Sequence, residues 1–247
     1  MLTKSLLQLV ISLRDKKSRR EHGLFVAEGE KLVVELLTSD ITVRQIFALP
    51  EWRAQSQVAV EIIRVTPVEL ARMSNLETPN QVLAVAEVPT YTLDERIAEE
   101  SLTLVLDGIN DPGNLGTIIR TAEWFGVRHI ICSKNTVDVW NPKVVQSSMG
   151  SCFRVQVNYH DLPPLLTALR AAGLRLLAGT LDGANLYEAE LPAKSVLIIG
   201  SESHGVSPEV LALIDQRIKI PSYSPHIDSL NASIATSIIL SEMRRRK

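Results

Sequence analysis

From Leu102 onward, short apolar runs alternate with stretches of helical spacing, and this alternation restricts the fold more than any other feature of the chain. The runs are LTLVLD (102–107), HIICS (129–133), FRVQV (153–157), LRLLAGT (174–180), SVLIIGS (195–201) and RIKIP (217–221). Helical patterns fall near 115–125, 143–149, 163–172 and 208–214, and a last helix covers about 230–245. Strands apolar along their whole length, each followed by a helix, belong to a mostly parallel sheet covered on both faces. Ligands of such sheets bind beyond the carboxyl ends of the strands. The residues just after the strands are therefore where chemistry is expected.

The preceding stretch mixes shorter elements. Leu2 to Leu13 carries leucines at helical spacing. GLFVAEG (23–29), VRQIFAL (43–49), Val60 to Val65 and QVLAVAEV (81–88) read as strands. Glu30 to Leu37 and a segment opened by Pro67 and running to Met73 read as helices. Residues 1–88 thus form a small α/β unit, 89–101 a polar linker opened by Pro89, and 102–247 the larger α/β body. At 247 residues either body can bury a core, and 45% hydrophobic content with a net charge of −2 excludes a disordered chain. No apolar run approaches the ~18 residues of a membrane span. Leu6 to Leu13 precedes its basic cluster, the reverse of a signal peptide. Cys132 and Cys152 lack a CxxC partner or a histidine at ligand spacing, so they read as core residues in a reducing cytoplasm.

Charge is unevenly spread. RDKKSRR (14–20) holds five basic residues and one acidic, and the chain ends in Arg244, Arg245, Arg246 and Lys247. Such runs attract phosphate; solvated helix faces are the plainer alternative. Arg14, Lys16, Lys17, Arg19 and Arg20 are the candidate contacts to a nucleic-acid phosphate.

Three places carry chemistry. After the first strand of the larger body comes GINDPGNLGTIIRTAEWFG (108–126), whose glycines fit neither GxGxxG nor the Walker pattern. Its helix has an apolar stripe of Ile118, Ile119, Ala122 and Phe125, with Arg120 opposite, beside Thr117 and Trp124. Asn114 is either a helix N-cap or a functional amide. The second place, LIIGSESHGVSPEV (197–210), sets Glu202 in a tight turn after a buried strand, where Arg120 is a candidate partner. Ser207 and Pro208 look like a cap and first-turn pair. The third, IPSYSPHIDSLNASIATSIILSEMRRRK (220–247), opens a helix with small polar residues including Ser229 and Asn231. Capping by Asp228 or Ser229 is the alternative there. No metal constellation appears, and no GxSxG elbow. The missing GxGxxG argues against a nucleotide-dependent oxidoreductase.

Taken together, NDPGNLGTIIRTA (110–122), IIGSESHGVS (198–207) and IP…SLNAS (220–233) resemble the SpoU (TrmH-type) RNA ribose 2′-O-methyltransferases of the SPOUT class. The front stretch, with FVAEGEKLVVELL (25–37) and ETPNQVLAVAEV (77–88), resembles their small ribosomal-protein-like RNA-binding domain. The resemblance implies an α/β sheet with a C-terminal trefoil knot. It implies S-adenosyl-L-methionine held around Thr180, Gly200, Ile220 and Leu230, and a homodimer with a shared active site. It implies Asn114, Arg120, Glu202, Ser229 and Asn231 as the catalytic set, no metal, and ribosomal RNA favoured over transfer RNA. A transfer-RNA ribose methyltransferase and a non-catalytic ribosome-assembly factor are the alternatives. The chain departs from the family where I-P-M and a glycine are usual: Ser222 stands for the methionine and the loop runs on as IPSYSPHIDSLN.

Overall fold

The six apolar runs from Leu102 onward each contribute to one sheet in the computed structural model, which describes residues 2–54, 60–93 and 102–246. Most of the expected linker, 94–101, lies outside the described residues, as does Lys247. The chain divides into two compact units, 1–90 with 138–154, and 91–137 with 155–247.

The first unit opens with α1 (Lys4–Ser12), α2 (Lys16–His22), β1 (Leu24–Glu28), α3 (Glu30–Leu37), β2 (Val43–Ala48), β3 (Ile62–Arg64), α4 (Pro67–Met73) and β4 (Val82–Glu87). The strand order is β1-β4-β2-β3, with β4 antiparallel to both neighbours and β2 parallel to β3. Local chemistry sets the boundaries. Thr3 caps α1 by accepting from Leu6 N. Thr66 and Glu69 form a reciprocal capping box on α4, with Pro67 in its first turn. Gly23 ends α2 at φ 63°, a left-handed conformation that favours glycine. Leu13, Phe47, Leu70, Met73 and Leu83 meet in the core.

The second unit contains β5 (Leu102–Asp107), α5 (Pro112–Trp124) and β6 (His129–Ser133). The chain then passes through α6 (Pro142–Ser148) before β7 (Gln156–His160), α7 (Leu162–Ala171), β8 (Arg175–Asn185), β9 (Ser195–Gly200), α8 (Pro208–Leu211), β10 (Gln216–Lys219) and α9 (Ala232–Arg245). The sheet order is β10-β8-β9-β5-β6-β7 and every pairing is parallel. β5 and β9 are buried at every position, as strands covered on both faces must be.

Two stretches differ from the sequence expectation. α6 and the single 3-10 turn Ser151–Phe153 fall in the first unit, although they lie inside the 102–247 stretch. Phe25 packs on Trp140 and Phe153, with ring centroids 4.3 and 6.0 Å away. Phe153 is held there by its own turn, so the strand expected at 153–157 starts at Gln156. β8 is also longer than the run that announced it. Its pairing with β10 goes from Arg217↔Ala178 to Ile218↔Ala184, leaving 179–183 as a bulge. A Cβ on Gly183 would fall 2.5 Å from Arg217 C, so the close approach at that bulge requires glycine.

The basic runs are partly structural. Arg19 is only 3% exposed. Its Nε and Nη2 donate to Asp138 Oδ2 (2.9 and 2.6 Å), and its Nη1 donates to Leu13 O and Arg14 O (2.9 and 2.7 Å). The expectation that Arg19 contacts RNA is corrected: its donors are spent inside the first unit. The terminal run is used similarly. Arg244 donates to Phe125 O (2.6 Å), Arg245 and Arg246 to Glu242, and Arg246 also to Ala189 O and Leu186 O.

Candidate active site

The site is assembled from segments that follow the carboxyl ends of adjacent strands β8, β9, β5 and β10, as the parallel topology dictates. After β9, Ser201 and Gly205 exchange backbone hydrogen bonds of 3.1 and 2.8 Å. A Cβ on Gly200 would sit 2.0 Å from Gly205 C, so the turn closes only over a glycine. This tight turn holds Glu202.

After β5, Asp111 caps α5 by accepting from Asn114 N (2.8 Å), with Pro112 in the first turn. Asn114 is therefore not the cap, and its side chain is free for other work. Asn114 Nδ2 donates to Glu202 Oε1 (3.1 Å). Asn231 is the cap of α9: its Oδ1 accepts from Ser233 N (3.0 Å) and Ile234 N (3.3 Å), displacing the expected caps Asp228 and Ser229. Asn231 Nδ2 donates to Glu202 Oε1 (2.6 Å) and to Asn114 Oδ1 (2.9 Å), and Ala232 N donates to Glu202 Oε1 (3.0 Å). One carboxylate oxygen thus gathers three segments that are far apart in sequence. Charge-assisted bonds of this kind are the stronger ones.

Beside this group lies a cavity of about 810 Å³. Thr180, Gly200, Ile220 and Leu230, the expected cofactor contacts, all line it, as do Glu202 and Ser229. The β8 bulge supplies one wall through Gly179, Leu181 and Asp182, and Ile199, Ile218 and Ile239 give apolar surface. Arg217 Nη1 donates to Asp182 Oδ2 (2.7 Å) at the same cavity. Ser229 is exposed, and none of the described residues hydrogen-bonds its side chain.

Arg120 is not in the group. It is exposed on α5, on the face shared with Thr117 and with Trp124, which is 85% exposed. No ion pair or hydrogen bond ties Arg120 to any described residue, so the expected pairing with Glu202 within one protomer is absent, and the amides of Asn114 and Asn231 take that place. Of the basic cluster, Lys16, Lys17 and Arg20 are exposed, while Arg14 donates to Arg72 O and Ser74 O (2.9 and 2.7 Å). Asp111 is a residue that sequence reasoning missed. Its signal was present: Asp-Pro at a helix start is the same cap pattern as Ser207–Pro208, which does open α8. Among the described residues no group of histidine, cysteine, aspartate and glutamate could hold a metal, and no helix is long and apolar enough to cross a membrane.

Known proteins resemble the chain over both units. Residues 101–241, more than half of the chain, match the model of the SpoU rRNA Methylase family. Residues 5–84 match the model described as an MRM3-like substrate binding domain. The chain is 32% identical over 236 residues to the 23S rRNA (guanosine(2553)-2′-O)-methyltransferase RlmP of Bacillus subtilis, covering 94% of this chain and 93% of that one. Among solved structures, a putative RNA methyltransferase of the TrmH family from Porphyromonas gingivalis is similar over 100% of both chains, at 38% identity and a TM-score of 0.90. The SpoU methyltransferase AviRb from Streptomyces viridochromogenes, solved in complex with AdoMet, is similar over 99% of this chain and 98% of that one, at 27% identity and a TM-score of 0.88. A strand-end carboxylate joined to two asparagines, and a family match that spans all three segments bearing them, lead to one assignment: the chain belongs to the SpoU rRNA methylase family.

Proposed function

We propose that this chain transfers a methyl group from S-adenosylmethionine to a ribose 2′-hydroxyl of ribosomal RNA. The observation that carries the reading is the Asn114–Glu202–Asn231 group on the edge of the 810 Å³ cavity. The cavity fits such a donor. Its volume is that of a small-molecule site. Ile199, Ile218 and Ile239 suit an adenine, and the exposed carboxylate of Asp228 suits a ligand with cationic groups. Thr180, Gly200, Ile220 and Leu230 would hold the donor, which when bound supplies a methyl group on a cationic sulfur. Ser229 orients the donor or the hydroxyl, and Asn231 acts by holding Glu202. Arg120 orients a target phosphate with its guanidinium and stabilises the incipient alkoxide.

The same reading includes a homodimer, a C-terminal trefoil knot and a cytoplasmic location. No described residue pairs with Arg120, whose face also exposes Trp124, and an exposed tryptophan beside such an arginine suits an interface. In a two-fold dimer, Arg120 of one protomer holds the target phosphate beside the Asn114–Glu202–Asn231 group of the other. Lys16, Lys17, Arg20 and Arg14 supply phosphate contacts on the first unit. Full-length similarity to the SpoU methyltransferase supports the knot, and two buried free cysteines suit a reducing compartment.

The test is incubation with labelled S-adenosylmethionine and unmodified ribosomal and transfer RNA, followed by mass spectrometry of the nuclease digest. A 2′-O-methyl nucleotide in ribosomal RNA is expected. Modification of transfer RNA alone overturns the substrate, and modification of neither overturns the activity.

A further inference from the structure

The two oxygens of Glu202 are treated differently. Oε1 accepts from Asn114 Nδ2, Asn231 Nδ2 and Ala232 N, at 3.1, 2.6 and 3.0 Å. Oε2 accepts from none of the described residues, and Glu202 is exposed on the cavity wall. Three donors from two elements hold Oε1. Oε2 is left beside it as an acceptor whose lone pairs no described residue takes.

Methyl transfer to a hydroxyl releases a proton, and few groups here can take it. The other ionisable side chains on the cavity wall are Asp182, His204, Arg217, Tyr223 and Asp228. Asp182 is committed to Arg217 at 2.7 Å. His204, Tyr223 and Asp228 stand exposed in loops, and no described residue hydrogen-bonds their side chains. Asp111 faces Asn114 from the start of α5 and is occupied as its cap. Arginine does not deprotonate in the working range. Glu202 alone combines an open acceptor atom with a side chain held in place.

We propose that Glu202 is the proton acceptor: Oε2 accepts the hydrogen bond of the ribose 2′-hydroxyl and takes its proton as the methyl group arrives. The inference rests on the methyltransferase reading above. A lone pair of the 2′-oxygen forms the new O–CH3 bond. The S–C bond breaks with its electron pair passing to sulfur, which becomes a neutral thioether. The O–H pair stays on oxygen, and the proton goes to Oε2 and from there to solvent. Asn114 and Asn231 are positioning residues that hold Oε1.

The test uses the full-length protein and an RNA fragment that the unchanged enzyme methylates. Glu202→Gln keeps an acceptor in the place of Oε1 and removes the base. General-base loss is expected to lower kcat by about 100-fold or more, with the melting temperature unchanged. The calorimetric affinity for S-adenosylhomocysteine should stay within about twofold, and the affinity for RNA should fall by no more than the about tenfold that the lost 2′-hydroxyl hydrogen bond is worth. The unchanged enzyme should lose rate toward acid pH and be flat through pH 9; the variant should lack that acidic limb. At equilibrium, RNA carrying a 2′-deoxyribose at the target should bind the unchanged protein about tenfold more weakly than the ribose form, and Glu202→Gln should erase most of this difference. A variant that retains more than about a tenth of kcat, or a rate that rises with pH through 9 in both proteins, overturns the assignment. If Glu202→Gln fails to fold, the pH profile and the deoxyribose discrimination of the unchanged protein decide. An unchanged enzyme that methylates no RNA overturns the inference together with the function it rests on, whereas a failure confined to Glu202→Gln leaves that function standing.

Discussion

Replacing Arg19 separates a structural arginine from an RNA-binding one. Arg19 sits in the most basic stretch of the chain, yet it is 3% exposed and directed at Asp138, whose side chain is 16% exposed. Arg19→Ala strips Asp138 Oδ2 of both its guanidinium donors and leaves Leu13 O and Arg14 O without theirs. Asp138 Oδ1 keeps one bond, from Trp140 N at 3.3 Å. Removing one partner of a buried pair costs about 3–5 kcal/mol, and the carbonyl losses fall within that range because the same side chain serves all four bonds. At roughly 2 °C or more per kcal/mol for a chain of this length, the transition should drop by at least about 6 °C. Calorimetry or urea unfolding reads the change. Arg19→Lys should recover little of it, since one ammonium does not reproduce donors spread over three nitrogens. An unchanged melting temperature with weaker RNA binding refutes the structural assignment.

Other perturbations should behave as follows. Arg20→Ala, at an exposed position on the same helix, should leave the melting temperature alone and reduce the slope of log affinity for RNA against log salt by about one; a salt slope identical to that of the unchanged protein removes Arg20 from the interface. Asn231→Asp keeps a capping oxygen for α9 but turns a second carboxylate oxygen toward Glu202 Oε1 and Asn114 Oδ1, so methyl transfer should fall by about tenfold or more while the cap survives; near-normal turnover contradicts the hydrogen-bonded group. Glu242 is held below the ordinary glutamate range, at about 2, by hydrogen bonds first from Arg245 and then from Arg246. Its folded value is depressed, so its contribution is present above about pH 4.5 and is lost as pH falls toward 2. Melting temperature should therefore depend less on pH across that window in Glu242→Gln, and parallel curves would count against the ion pairs. Finally, equal amounts of Arg120→Ala and Asn231→Ala subunits, each inactive alone, should recover about a quarter of native activity after mixing. Random pairing makes half the dimers mixed, and each mixed dimer has one intact site. No recovery argues that each site is built within one chain.

Much of the fold was legible because the apolar runs are long and the punctuation is strong. Glu30–Leu37 and Pro67–Met73 are helices with the expected bounds, and Leu102–Asp107 and His129–Ser133 are strands with the expected bounds. What failed depends on contacts that no local window contains. Phe153 reads as the start of a strand until Phe25 is seen against it. Arg19 reads as a phosphate contact until Asp138, 119 residues away, is seen to claim it. The bulge at 179–183 is invisible in LRLLAGT because β-pattern alone does not reveal where a neighbouring strand changes register. Of the expected site residues, Asn114, Glu202 and Asn231 converge, whereas Arg120 is elsewhere on its helix. Six residues separate Asn114 from Arg120, and at 3.6 residues per turn that spacing puts them on different faces. The sequence alone therefore already contained a reason for these two side chains not to meet within one protomer.

Asn231 shows why helix capping and function were hard to separate in the sequence. At the start of α9 the sequence offers capping and function as alternatives. The amide does both, because its two ends are chemically different: Oδ1 accepts from Ser233 N and Ile234 N, and Nδ2 donates to Glu202 and Asn114. Serine or aspartate could cap the helix, but neither presents an amide donor at the same atom position. The residue that starts α9 therefore also fixes the carboxylate after β9, and Ala232 N, a donor that every helix start leaves unspent, completes the grip. The donor at the first turn of a long helix is fixed by the backbone and does not depend on a rotamer of its own. That is the physical reason a loop glutamate, ordinarily a mobile group, can present one oxygen at a constant place beside the cavity.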